Sequence, residues 1–549
     1  MNEQPAEDDD ARDDASVTPE QEQLFAETAI DAEDMATTLR VIGMLHELPA
    51  GHPDIETVKR AAGTMYKRVR KARRAEARAA ELGPLREQDA KVLASTATGS
   101  PLRIDDETKG IPLTSNVIGE VAGELNTPRG CYICHAKYTT VDAFYHWLCP
   151  NCAAMSHAKR HQRVDLRGKR ALLTGGRAKI GMYIALMLLR DGAHLTITTR
   201  FPRDAARRFA ELADSPEWID RLKIVGIDLR DPTQVIALAD EVAADGPLDI
   251  LINNAAQTVR RSPGAYSNLT AGEDLPLPRD VKLPQIVQFD RISDAHPANL
   301  AGTLAAYQHT HATDEAEPQP DAGRDVHAPG VTPAAGPLNP SDAHDPARSA
   351  AAMTSLALSA GQASLEAHQA GTAVDAGGLL PDVVDTNSWK QKVEEVDPLE
   401  LLEVQLCNST APFLLVSRLR PAMRAAVARG ARRAYVVNVS AMEGQFSRRY
   451  KGPGHPHTNM AKAALNMMTR TSAGEMFATD KILMTAVDTG WITDERPHHE
   501  KLRIAEEGWH APLDLVDGAA RVYDPIVMGE NGIDQYGIFL KDFAETLTT

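Results

Sequence analysis

No stretch of this chain approaches the roughly 18 unbroken apolar residues that a membrane-crossing helix needs, so no membrane span is expected. The N-terminus is acidic, which sets aside a secretory signal or a transit peptide. Cysteine is scarce, with five in 549 residues. Without an export signal, so few thiols argue against a disulfide scaffold. No internal repeat is visible, which excludes a solenoid or propeller. These absences lead to the expectation of a cytoplasmic protein with no membrane partner.

What is present is uneven. At 549 residues the chain exceeds one ordinary domain, and its length suggests roughly three or four units. The formal net charge is −17, yet residues 1–34 hold thirteen Asp and Glu against the single Arg12. The acidity therefore belongs mainly to a tail, expected to be solvated and disordered. Residues 35–99 have a helical pattern, broken near Leu48 to Pro53. The piece from about Asp54 to Leu82 is dense in cations, among them Lys59, Arg60, Lys67, Arg68, Arg70, Lys71, Arg73 and Arg74. Two readings stand: a solvated helix face, or a basic helix that binds nucleic acid, an acidic partner protein or the chain's own tail. No nucleic-acid module accompanies it.

Four of the five cysteines fall within 22 residues, as Cys131-x2-Cys134 and Cys149-x2-Cys152 with 14 residues between the pairs. Paired CxxC spacing suits four thiolates around a tetrahedral zinc with no open position, hence a structural ribbon. Tyr138, Phe144, Tyr145 and Trp147 would build its small core. The ribbon is also a candidate surface for a protein partner. The connector and ribbon are placed at 100–165.

From Leu166 the pattern becomes βαβαβ, with RALLTGG, HLTITTR, KIVGIDL and LDILINNAA as strands. Strands alternating with helices at this spacing imply an α/β fold with a doubly wound parallel sheet. Residues 257–395 interrupt the rhythm, and about 309–350 is rich in Pro, Ala, Asp, His and Gly without a period, so a disordered loop is expected there. Strands and helices resume to residue 549. TGGRAKIG, Thr174 to Gly181, follows a strand and opens a helix. Glycine there permits a tight turn and close helix packing, and a helix N-terminus attracts a pyrophosphate.

Together with NVSAMEG (Asn438 to Gly444) and HTNMAKAALNMMTR (His457 to Arg470), these motifs resemble the short-chain dehydrogenase/reductase family. The resemblance covers 166–256 and 396–548. It implies a Rossmann domain and a nicotinamide cofactor held by Thr174, Gly175, Arg177, Lys179, Ile180, Gly181, Asp228, Leu229, Asn254, Ala255, Ala256, Lys462, Gly490 and Thr493. The family pattern T-G-x-x-x-G-x-G is met except at Lys179, where it has glycine. The second strand ends in Arg200, where an NAD enzyme would offer an acid to the ribose. A guanidinium there pairs instead with a 2′-phosphate, so NADP is expected over NAD.

The resemblance also implies a catalytic Ser and a Tyr four residues before the Lys. Ala441 and Thr458 stand in those places, whereas Lys462 and the relay Asn, assigned to Asn408, are present. An aliphatic hydroxyl is far less acidic than a phenol and is a poor proton donor near neutral pH. The insert between the two motifs offers His455, His457 and Tyr450 as substitute donors, or as ordinary loop residues. Two functions therefore remain open. One is an NADP-dependent oxidoreductase with a non-standard donor, acting on a carbonyl, alcohol or enone. The other is a catalytically silent NADP-binding scaffold or sensor that recruits partners through the ribbon and the basic helix. A homo-oligomer is expected by analogy with the family.

Overall fold

The computed structural model describes residues 29–546 apart from 101–114, 116, 262, 290–291, 301–378, 380–385, 448–450, 493–494, 498–499, 501–502 and 505–506. The expected acidic tail up to residue 28 and the expected loop at 309–350 lie outside the described residues. The chain divides into two compact units, Met1–Arg86 and Glu87–Thr549.

In the first unit, α1 (Ala32–Met44) starts on Asp31, whose carboxylate accepts from the N–H groups of Glu33 and Asp34. That is an N-cap, satisfying two of the donors a helix start leaves open. A 3-10 turn at Leu45–Glu47 ends it, and α2 (Pro53–Ser95) begins beyond His52. The cations of α2 are exposed. Among the described residues no helix is long and apolar enough to cross a membrane.

The second unit takes in the last turns of α2 and then the cysteine module. Strands β1 (Val121–Gly130) and β2 (Lys137–Asp142) pair antiparallel, so the stretch expected as a bare connector ends in sheet. Helix α3 (Pro150–Arg160) follows, with Cys149 at its N-cap. The main sheet is built from β3 (Arg170–Leu173), β4 (His194–Thr199), β5 (Leu222–Gly226), β6 (Ile250–Asn253), β7 (Gln285–Gln288), β8 (Ala434–Ser440), β9 (Ile482–Asp488), β10 (Phe539–Lys541) and β11 (Ala544–Thr546). Its order is β11-β10-β9-β8-β6-β3-β4-β5-β7. All pairs are parallel except β10 with β11.

Helices α4 (Lys179–Arg190), α5 (Pro202–Ala210), α6 (Pro232–Ala244), α7 (Ser267–Asp274), α8 (Pro398–Gln405), α9 (Ala411–Ala428), α10 (Pro456–Asp480) and α11 (Leu515–Glu530) complete the unit. One apolar core joins α4 and α11 to one face of the sheet, and a second joins α6 and α9 to the other. Every residue of β8 and β9 is buried. A parallel sheet covered on both faces selects such largely apolar strands, here AYVVNVS and ILMTAVD. The inserted stretch after β6 contributes β7, which extends the sheet beyond β5. Strand order reverses between β3 and β6, and in sheets of this kind ligands bind at the carboxyl ends of the strands beside that reversal.

Candidate active site and thiol centre

A cleft of about 930 Å³ opens at that place. Its walls bring together Gly175, Arg177, Lys179, Ile180, Gly181, Arg200, Asp228, Leu229, Asn254, Ala255, Ala256, Thr458, Lys462 and Gly490. Thr174 is buried beneath them, and its Oγ1 accepts from the N–H groups of Asn254 and Ala255, both at 3.0 Å. The Asn254 amide donates back to the carbonyls of Thr174 and Gly175 at 3.0 and 3.1 Å. These four bonds tie the glycine turn to the end of β6. Thr493 and Tyr450 lie outside the described residues.

The turn needs its glycines. Gly175 has φ +70°, and a Cβ on Gly181 would sit 1.9 Å from the Gly175 carbonyl oxygen. Lys179, where the resemblance has glycine, has φ +52°. It takes up the left-handed conformation that glycine adopts without cost. Helix α4 then begins with no acidic residue in its first turn, so its exposed N–H groups offer undiluted positive potential to an anion.

Cations gather at the far end of the cleft. The Arg200 guanidinium lies 4.8 Å from the centre of the Tyr266 ring and 5.7 Å from that of Phe201. Burial opposes ionisation of the Tyr266 phenol, but the guanidiniums of Arg200, Arg261 and Arg230 outweigh it and hold the group below its ordinary value. Arg177 binds Asp204 at 2.5 Å. Burial likewise opposes the Asp228 carboxylate, yet the charge of Arg230 and bonds from His296 and Arg230 hold it well below the carboxylate range. Tyr266, Arg261 and His296 come from the inserted stretch, and no sequence motif announced them.

At the other end, Lys462 Nζ donates to the Val439 carbonyl at 2.8 Å. Burial pushes its pKa down to about 8. Ala441 and Thr458 both line the cleft, and Thr458 Oγ1 donates toward the Thr258 carbonyl at 3.4 Å. Ser440 turns its hydroxyl to Asn466 Oδ1 at 2.6 Å. Asp488, the register partner of Ser440, is buried in the same floor, and burial raises its pKa. Asn408 sits in a π-helical turn, Leu406–Thr410, between α8 and α9. Such turns are common at functional sites. Its amide accepts from Gln257 N at 2.7 Å and donates to Gln257 O at 2.8 Å, so it fixes the wall beyond Ala256.

Neither candidate histidine lines the cleft. His455 stacks on Trp389 with ring centres 4.0 Å apart and its Nδ1 meets the Trp389 carbonyl at 2.8 Å. His457 is buried with no hydrogen-bond partner on either ring nitrogen, and burial pushes its pKa down to about 4. Lys462 and Asp488, by contrast, are buried titratable groups that line the cleft.

The cysteines converge. The sulfurs of Cys131, Cys134, Cys149 and Cys152 all lie within 4.8 Å of one another. Cys134 and Cys149 are 3.6 Å apart, far beyond a disulfide. Zinc–thiolate bonds of about 2.3 Å in a tetrahedron give an edge of about 3.8 Å. The donor set and spacing thus fit a four-coordinate soft cation. The module is locked to the start of α11 through Arg160, which binds Asp514 and Asp517 at 2.5 and 3.1 Å, and through the Tyr145 hydroxyl, which donates to Asp517 at 2.6 Å.

Residues 169–271 match the family model described as short chain dehydrogenase. The chain is 27% identical over 410 residues to an uncharacterized protein of Acanthamoeba polyphaga mimivirus, spanning 72% of this chain and 71% of that protein. It is 33% identical over 129 residues to a peroxisomal 2,4-dienoyl-CoA reductase of Pongo abelii, covering 23% of this chain and 38% of that one. The match therefore spans well under half of that reductase. An NADPH-bound carbonyl reductase from chicken fatty liver superposes on 71% of this chain and 98% of its own, at 15% identity and a TM-score of 0.39.

Proposed function

We propose, from the match of residues 169–271 to the short chain dehydrogenase model, that the protein is an NADP-dependent reductase of carbonyl or enone substrates in which Lys462 supplies the proton. The observation that carries this reading is the single cleft that holds the glycine turn at one end and the buried lysine at the other. Its volume and the tight Gly175–Gly181 approach suit a dinucleotide. Arg200, with no acid at the end of β4, favours the 2′-phosphate form. A reduced nicotinamide bound there would supply the hydride.

Thr458 Oγ1 holds the substrate oxygen, a role an aliphatic hydroxyl can fill. As a C–H bond forms on the substrate, the Lys462 ammonium gives up one N–H proton to the developing anion, and the neutral amine is reprotonated from water. Burial makes that ammonium a better acid than an exposed lysine. The paired cysteines hold a structural zinc, on the strength of their spacing and four-fold donor set.

Ala441 and Thr458 favour a second reading, in which the chain binds NADP without turnover and acts as a scaffold. Absorbance at the reduced-nicotinamide band, followed across a carbonyl and enone panel, separates the two. Tight NADPH binding with no oxidation of it on any substrate would sink the reductase reading. Turnover that survives Lys462→Met would sink the proton assignment alone.

A further inference from the structure

The turn between the first two cysteines is also a wall of the cleft. Tyr132 and Ile133 stand between Cys131 and Cys134, His135 follows directly, and all three line the cleft. The Tyr132 hydroxyl oxygen accepts the backbone N–H of Trp491 at 3.0 Å. Trp491 comes straight after Gly490, which the resemblance assigns to the cofactor. Lys541 holds its ammonium 5.2 Å from the centre of the Tyr132 ring and reaches Asp488 at 3.8 Å. Below this layer, Cys131, Cys149 and Cys152 share one apolar cluster with Ile492, Leu513 and Leu515, and Ile180 of the glycine turn packs against it.

The shape of that wall depends on what the sulfurs hold. Four thiolates at this spacing repel one another unless a cation lies between them, and neutral thiols are weak hydrogen-bonding groups. Release of the cation frees the segment that carries Tyr132, and with it the acceptor that fixes Trp491.

We infer that Tyr132 is a positioning residue of the nucleotide site, anchored by the metal, so that metal occupancy at the four cysteines and affinity for the nicotinamide nucleotide are linked. The inference rests on the zinc and NADP readings above. Linkage is reciprocal: whatever factor zinc adds to nucleotide affinity, the nucleotide adds to zinc affinity.

The test uses the full chain with zinc counted by elemental analysis. Stripping zinc with a chelator is expected to weaken NADPH binding, read from nicotinamide fluorescence, by about tenfold or more, and added zinc restores it. Saturating NADPH is expected to slow zinc transfer to a chromophoric chelator. Tyr132→Phe keeps the ring under Lys541 and the full zinc content. It is expected to raise KM for NADPH severalfold with kcat at saturation little changed.

NADPH affinity within twofold in stripped, folded protein, with zinc release indifferent to NADPH, overturns the inference. Should stripping unfold the chain, zinc release from loaded protein and the Tyr132→Phe variant decide alone. A chain that neither contains nor takes up zinc removes the thiol-centre reading and this inference together. Zinc-loaded protein that binds no NADPH removes the cofactor reading and this inference together.

Discussion

Lys462 Nζ donates to the carbonyl of Val439, the residue before Ser440, at the carboxyl end of β8. The bond anchors a buried ammonium in a cleft that Ala441 and Thr458 also line.

That ammonium predicts a pH profile. Reduction needs the charged form, so the rate is expected to hold level below about 8 and to fall about tenfold per unit above it. Lys462→Met is expected to lower kcat by about 10²- to 10⁴-fold. The same change should stabilise the fold at pH 7. Burial makes the folded chain bind fewer protons than the unfolded chain between about 8 and the ordinary lysine value of 10.5. Stability of the wild type therefore rises with pH across that window, and the cost of the buried charge is felt in full below it. Denaturant titration at pH 7 and pH 10 checks the sign: the gain from methionine should shrink at the higher pH.

Arg200→Leu removes the guanidinium beside Tyr266. NADPH affinity is expected to fall by about ten- to a hundredfold, the worth of a charge-assisted bond or two. NADH affinity should stay within about twofold. Parallel fluorescence titrations with the two nucleotides measure the ratio.

Lys179→Gly relieves the left-handed backbone at φ +52°. The strain removed is about 1–2 kcal/mol, and glycine's greater freedom in the unfolded chain takes back about half of it. Thermal unfolding should show a net gain of up to about 1 kcal/mol.

Arg160→Met strands two buried carboxylates, Asp514 and Asp517, next to each other. A broken buried pair of this kind costs about 3–5 kcal/mol. Burial and the neighbouring Asp517 charge already raise the Asp514 pKa, and losing Arg160 raises it further. The folded variant therefore takes up protons as pH falls, so its deficit should be smaller at pH 5 than at pH 8 in urea titrations.

How much of this was legible in the sequence differs from element to element. The middle of the sheet was, because β3, β4, β5, β6, β8 and β9 are short, largely apolar runs, whereas β7, β10 and β11 were not read. The glycine turn was, because its spacing is set by contacts that admit no side chain. The thiol centre was, because four ligands fell into two CxxC pairs. Tyr266, Arg261 and His296 were not, since they come from an inserted stretch with no period and gain meaning only when β7 docks on β5. Tyr132 carried no motif, and its bond to Trp491 joins residues more than 350 positions apart. His455 and His457 had the right chemistry, but His455 stacks on Trp389 and His457 is buried in the first turn of α10, and neither lines the cleft.

Strands β6 and β8 lie side by side although about 180 residues separate them along the chain. Closing such a span costs only about 1 kcal/mol more than closing a crossover of ~50 residues, because the entropy of closure grows with the logarithm of length. The equilibrium barely notices the long detour, whereas the search for the pairing does. The first βαβαβ half can assemble locally, and its open β6 edge then waits for β8. During that interval an apolar strand edge stands unpaired, which makes this moment the one at which the growing chain is most exposed to wrong partners.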